Sequence, residues 1–149
     1  MGEVPADEVV VTSVVALPVE RAFSAFTDGI DRWWQRAPGR NHDAIVQFES
    51  DRLVAVSPVG SEVLATVSSW DPPRRLDLDW NGPHAKPGDS VVVEFDPEPR
   101  GTRVTIRHRR RGLAPEAVEA AVVGLWWGDL VSRLIDAHRS QSLRQEEKP

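Results

Sequence analysis

Hydrophobic and polar positions change period three times along the chain. Residues 8–17, EVVVTSVVAL, are β-branched and short enough for a strand. LPVERAFSAFTD follows. Pro18 suits the first turn of a helix, Glu20 adds favourable charge at its start, and Ala22, Phe23, Ala25 and Phe26 form a narrow apolar stripe at helical spacing. DGIDRWWQRAPGR predicts a second short helix, broken by Pro38 and Gly39. From there the period falls to two. DAIVQFE (43–49) is an ambiguous β segment, and RLVAVSP (52–58) and SEVLATVSSW (61–70) flank a Pro-Val-Gly turn as a hairpin. After the break DPPRR, the segment RLDLDW (75–80) alternates cleanly, with Leu76, Leu78 and Trp80 on one side and Asp77 and Asp79 on the other. The loop NGPHAKPGD leads into SVVVEF (90–95), and TRVTIRHRR (102–110) follows the turn DPEPRG. In that last strand Val104, Ile106 and His108 share one face; Arg103, Thr105, Arg107 and Arg109 share the other.

After Gly112 and Pro115 a helical period takes over. Val123, Trp127, Leu130, Leu134 and Ala137 recur at three-to-four spacing, and Val118, Val122, Trp126 and Val131 widen the stripe into one long helix. Gly124 and Gly128 each cost a helix about 1 kcal/mol relative to Ala. As small residues beside Trp, they would let the helix approach a sheet closely. The polar RSQSLRQEEKP is expected to fray. The order is thus one strand, two short helices, six strands and one long helix. Strands in hairpin succession make an antiparallel sheet with one face to bury, and a long amphipathic helix covers it. The fold class is α+β, as a single domain over residues 8–139 with flexible termini at 1–7 and 140–149.

Composition narrows the chemistry. A chain of 149 residues with 40% hydrophobic and 28% charged residues suits one ordinary globular core. A net charge of −5 is the wrong sign for a phosphate-neutralising face, so nucleic acid is not an expected partner. Without cysteine there is no disulfide framework, thiol nucleophile or thiolate metal site, and the usage fits a reducing cytoplasm. The N-terminus has neither a basic n-region nor an apolar stretch of signal length, and no apolar run approaches the ~20 residues that span a bilayer. A cytoplasmic protein with no membrane partner is expected. His42, His84, His108 and His138 lack metal-ligand spacing, and no HExxH, acidic calcium loop, Gly-rich phosphate loop or GxSxG elbow occurs. Neither a metal nor a cofactor is expected.

Five stretches carry a resemblance: LPVERAFSAFTD, RWW, VSSWDPPRRLDLDW, GTRVTIRHR and GLWWGDLVSRL, in that order over residues 9–138. Together they resemble the helix-grip fold of the START-like, or SRPBCC, superfamily. More narrowly, they resemble the family named for homologues of the activator of the heat-shock-protein-90 ATPase. The resemblance implies a curved antiparallel sheet gripping the long C-terminal helix, with a pocket between them. It also implies a choice of activities. Members of the superfamily bind hormones or lipids, or act as aromatase/cyclases or hydrolases on apolar small molecules. The namesake's chaperone activity also relies on a separate N-terminal domain with no counterpart in these residues, so chaperone activation is not the expected role.

Candidate site residues follow from strand parity and the helical stripe. Trp34, Phe48, Leu78, Trp80, Phe95, His108, Trp127 and Val131 are the expected lining of a ligand cavity. An indole such as Trp80 offers a wide apolar face and one N–H donor, so it can both pack and orient a ligand. Trp70 reads as a cap on its hairpin, packed against Pro72 or Pro73. Trp33 and Trp34 on a short helix point about 100° apart. One should close the pocket mouth while the other packs beneath or stays exposed. On the long helix, the stripe makes Trp127 rather than Trp126 the inward ring. A neutral His108 on the inward face is a hydrogen-bonding group or a general base. As a base it needs an orienting carboxylate. Asp129 and Glu94 are the nearest in sequence pattern, and Glu94 has the wrong parity if Val93 and Phe95 face inward. Arg107, Arg109 and Arg111 form a row on the outer face, to be paired with Asp77, Asp79 or Glu94. Three functions are open: a binder of a small apolar or aromatic molecule; an aromatase/cyclase- or hydrolase-type enzyme with His108 as acid/base; and an interaction module, as a homodimer or a chaperone regulator.

Overall fold

The computed structural model describes residues 8–34, 45–58, 60–82, 88–109 and 117–147, with side chains of the final helix described from 121 to 137. The expected break at Pro38 and Gly39, the middle of the Pro-Val-Gly turn, Arg111, Gly112 and Pro115, the side chain of Val118 and most of the loop after Trp80 lie outside the described residues.

Strand β1 (Glu8–Val15) leads into helix α1 (Val19–Thr27) and one 3-10 turn (Ile30–Arg32). Six strands follow: β2 (Ile45–Glu49), β3 (Arg52–Ser57), β4 (Gly60–Asp71), β5 (Arg75–Trp80), β6 (Ser90–Glu98) and β7 (Gly101–Arg109). Helix α2 (Ala117–Glu147) closes the chain. The strands form one antiparallel sheet in the order β1-β7-β6-β5-β4-β3-β2, a six-strand meander completed by β1 beside β7. This is the α+β arrangement that the sequence pattern predicts, in the curved helix-grip form that the resemblance implied. Two boundaries differ from expectation. The second short helix is only a 3-10 turn, and α2 continues to Glu147 through the polar residues expected to fray, where Gln, Leu, Arg and Glu favour helix.

Register builds the core in layers. Directly opposed residues share a face, so the pairs Val9↔His108, Val91↔His108, Leu78↔Val91 and Val67↔Leu78 form one inward row. Val11↔Ile106, Val93↔Ile106 and Leu76↔Val93 form the next. Leu76, Val91, Val93, Phe95, Val104 and Ile106 have no exposed surface, and Leu130 of α2 has none either. Strand β5 behaves as its alternation predicts: Leu76, Leu78 and Trp80 are buried, while Asp77 and Asp79 point outward. Helix α1 buries Ala22, Phe23, Ala25 and Phe26 over the same face.

The glycines of α2 do not serve a close approach. A Cβ at Gly124 would meet Val9 Cγ1 at an ordinary 3.6 Å, and one at Gly128 would touch none of the described residues. Close approach is instead needed at Gly101, which opens β7 with φ +141° and whose Cβ would overlap the Val15 carbonyl oxygen. Thr102 then donates its hydroxyl to the Leu17 carbonyl at 2.7 Å, fixing the β1–α1 corner on the β6–β7 hairpin.

The outer face carries an ion-pair ladder, with one partner that strand pattern does not reveal. Arg107 donates to Glu94 (2.8 Å) and to Glu8 (3.1 Å), and Arg109 donates to Glu8 (2.9 Å). Hydrogen bonding to Glu94, then to Glu8, holds the Arg107 guanidinium above the usual arginine value. Asp77 pairs with Arg75 on its own strand at 2.7 Å, and that bond raises Arg75 likewise. Glu8 escapes a local reading because its partners lie 99 and 101 residues away in sequence.

Candidate functional site

Four indoles and one imidazole meet at one end of the sheet, beneath α2. Trp80 ends β5, His108 lies next to last in β7, Trp126 and Trp127 sit in α2, and Trp34 follows the 3-10 turn. The Trp80 ring lies 5.1 Å from Trp127, 6.1 Å from Trp126, 6.2 Å from Trp34 and 6.4 Å from His108, measured between centroids. Trp126 packs edge-on against Trp127 at 4.7 Å and against Trp34 at 5.7 Å. The rings are therefore packed on one another, where the resemblance implied an open pocket. Gly82 seals one side, since a Cβ there would lie 2.6 Å from the Trp80 ring.

The polar centre is a hydrogen-bonded chain. The Trp127 indole N–H donates to Nδ1 of His108 at 3.0 Å. An indole nitrogen cannot accept, so Nδ1 carries the lone pair and the proton of the neutral ring sits on Nε2. That Nε2–H lies 2.8 Å from Oδ2 of Asp89. Both His108 and Asp89 side chains are only 1% exposed. The arrangement fixes tautomer and ring orientation together, and it holds the Trp127 indole at a defined angle in the cluster.

Asp89 is the carboxylate that His108 needs, and it is not among the acids expected from sequence. Those two are elsewhere: Glu94 points outward to Arg107, and Asp129 is exposed and bonded to Arg133 at 3.4 Å. A signal for Asp89 is present in the chain. It shares the parity of Val91, Val93 and Phe95, and counting one step back from β6 puts it inward, but its Pro-Gly-Asp context reads as loop. Both nitrogens of His108 face protein partners. The imidazole therefore has neither a lone pair nor an N–H to offer a ligand while those bonds stand, which removes the support for a general-base role in this arrangement.

Of the eight expected lining residues, Trp34, Trp80, His108 and Trp127 come together here. Leu78 lies in the same inward row as His108, with Val91 between them, and Val131 is buried in α2 one turn beyond Trp127. Phe95 and Phe48 do not join them. Phe95 packs under α1, 5.1 Å from Phe23 and 5.7 Å from Phe26, and Phe48 packs against Trp70 at 5.7 Å. Trp33 and Trp34 are both buried, being 3% and 7% exposed: Trp34 joins the cluster, and Trp33 packs against α1 rather than standing exposed. Trp33 caps the 3-10 turn at φ −122°, so the helical 100° relation no longer holds, and its N–H donates to the Ala25 carbonyl at 2.9 Å. Trp127 is the inward ring of its pair, as the stripe predicts, but the half-buried Trp126 belongs to the cluster too. Trp70 is 44% exposed and packs its ring against Phe23, at 5.3 Å, and Phe48.

Among the described residues no group of three or more His, Asp or Glu side chains is placed to hold a metal ion. No described helix is long and apolar enough to cross a membrane.

An antiparallel meander folded over a C-terminal helix, with an aromatic cluster between the two, defines a helix-grip protein of the SRPBCC type. Within that class, the chain belongs to the family described as Activator of Hsp90 ATPase homolog 1-like protein, whose model matches residues 16–138. Solved structures agree at the level of the fold. CalU16 from Micromonospora echinospora is 21% identical, with TM-score 0.60 over 86% of this chain and 71% of its own. DynU16, from the dynemicin biosynthetic locus, is 22% identical with TM-score 0.67 over 92% of this chain, which spans 49% of that protein. The Aha1 dimer from Colwellia psychrerythraea is 15% identical with TM-score 0.63, over 87% of this chain and 88% of its own. No curated protein sequence shows a significant match.

Proposed function

We propose that the protein binds a small apolar, aromatic molecule at the indole cluster beneath α2. The observation that carries this reading is the convergence of Trp34, Trp80, Trp126 and Trp127 from three separate parts of the chain into one cluster, with Trp80 and Trp127 against the His108 imidazole. A core needs apolar volume, but not this concentration of large flat rings. Because the rings touch, the ligand enters by replacing ring–ring packing. Trp127 is tied to His108 and forms the floor. Trp126, half-buried at the edge, is the ring that moves. Membership of a biosynthetic locus by the fold relative DynU16 is in keeping with a small-molecule ligand.

Titration with 1-naphthol, read by tryptophan fluorescence, tests the reading. Saturable quenching is expected, weakened about tenfold or more in Trp126→Ala, which removes roughly one aromatic stacking partner and its buried area. Quenching that persists unchanged in Trp126→Ala, or none at all, overturns it. Native mass spectrometry of the purified protein gives an independent readout, through a bound mass lost on denaturation.

A second reading, self-association, is favoured by one observation. Leu125 is 74% and Val122 43% exposed, three residues apart on one face of α2, and the Colwellia relative is described as a dimer. Light scattering on wild type and Leu125→Asp decides it; a monomer in both ends the idea.

A further inference from the structure

A second groove lies away from the indole cluster, where α1 meets the β4–β5 hairpin. It is an open groove of about 390 Å³, lined by Trp70, Pro72 and Pro73 from the hairpin and by Glu20, Thr27 and Asp28 from α1 and its C-cap. That volume falls within the roughly 300–1,000 Å³ of small-molecule sites. Trp70 is held edge-on by Phe23 and Phe48, so its ring is fixed in place although 44% exposed. Among the described residues its N–H makes no hydrogen bond. Among the same residues Glu20 pairs with no cation, and the Asp28 carboxylate accepts only the Ser24 hydroxyl at 3.4 Å. Among the described residues no Lys or Arg lines this groove. Arg21 and Arg32 line a neighbouring groove with Leu17, and Ser24 and Asp28 stand on the border between the two.

An exposed indole sharing a groove with two carboxylates is matched by one kind of ligand. The aromatic quadrupole attracts a cation within about 6 Å of the ring centroid, and an alkylated ammonium is weakly hydrated enough to leave water for it. Carboxylates opposite add attraction of the same sign, and prolines offer apolar surface to a hydrocarbon body. We infer that the Trp70 groove is a binding site for a small organic ammonium cation, held between the indole and the carboxylates of Glu20 and Asp28. The site is independent of the indole cluster beneath α2, and either can fail without the other.

Choline and its neutral isostere 3,3-dimethylbutan-1-ol are the probes, and the indole N–H signals in 1H–15N spectra are the readout, with Trp70 assigned by its loss in Trp70→Leu. Choline is expected to move the Trp70 signal saturably and to bind about tenfold or more tighter than the alcohol. The double variant Glu20→Gln/Asp28→Asn should weaken choline about fivefold and leave the alcohol unchanged, because only the cation feels the lost charge. All three substituted residues are exposed, and circular dichroism confirms that each variant is folded. Equal affinity for choline and the alcohol, or a Trp70 signal that stays still under choline, overturns the proposal. So does a choline affinity that the double variant leaves intact.

Discussion

Replacing His108 by leucine tests the hydrogen-bonded chain beneath α2. The substitution is close to isosteric, so the cavity term is small, and what is lost is polar. Asp89 loses the Nε2–H donor at 2.8 Å, and the Trp127 N–H loses its acceptor at 3.0 Å, both at buried positions. A hydrogen bond to a buried carboxylate contributes about 1.5–3 kcal/mol, and an unmet buried donor costs about 1–3 kcal/mol. Leucine returns part of this through its apolar surface. The net expectation is about 3–5 kcal/mol, in the range found when one partner of a buried pair is removed. For a chain of this size that lowers the melting temperature by roughly 6–20 °C. Urea unfolding followed by far-ultraviolet circular dichroism measures it without relying on tryptophan fluorescence, which the change itself alters. Trp127→Phe removes the same N–H from the other side. In the double variant the two costs should not add, because the bond is already gone. Nitrogen chemical shifts of His108 test the tautomer directly: Nδ1 must be pyridine-like and Nε2 pyrrole-like. The reverse assignment, or a His108→Leu variant within about 1 kcal/mol of wild type, refutes the reasoning.

Gly101→Ala should be among the most damaging single-methyl changes in the chain, costing about 3 kcal/mol or more, since φ +141° excludes a side chain and the Val15 carbonyl occupies its place; soluble yield and thermal melting report it. Gly128→Ala should instead stabilise by up to about 1 kcal/mol, because the site is helical and open, and a lower melting temperature would show that α2 needs the glycine. Glu8→Gln should cost about 1–2 kcal/mol, as Arg107 and Arg109 are 41% and 56% exposed and partly screened. Hydrogen exchange should locate the loss in the β1 amides, with β4 unaffected.

Periodicity makes the fold legible and leaves the polar site half hidden, for a physical reason. Alternation in RLDLDW and VTIRH sets which residues face inward, and β5 and β7 follow it position by position. Such parity is a local property. Partner choice is not. Asp89 meets His108 across the β6–β7 pairing, and Glu8 meets Arg107 across the β1–β7 pairing, neighbours set by register between segments far apart in sequence. Trp33 and Trp34 are buried alike, where a helical offset of about 100° would separate them, because the helical rule does not extend past a turn that has already ended. Parity puts Phe48 and Phe95 on the same side as the indoles, but it does not say how far along a sheet a residue lies. The ends of this sheet are occupied by two different groups of rings.

Those two groups are joined. Trp33 bridges them, 6.3 Å from Trp34 and 5.1 Å from Phe26, which leads on through Phe95 and Phe23 to Trp70. A ligand entering beneath α2 therefore meets packed rings, and its affinity is the packing it makes with them less the ring–ring packing it displaces. A flat aromatic molecule that slides between Trp126 and Trp34 replaces stacking with stacking. A saturated chain of equal area cannot, because it lacks the quadrupole that edge-on indoles face. An order of affinities follows: 1-naphthol should bind more tightly than n-decanol, although decanol is the more hydrophobic of the two. If hydrophobicity alone ranks the ligands, the rings form an ordinary core, and the ligand binds by the general hydrophobic effect rather than by exchange with Trp126.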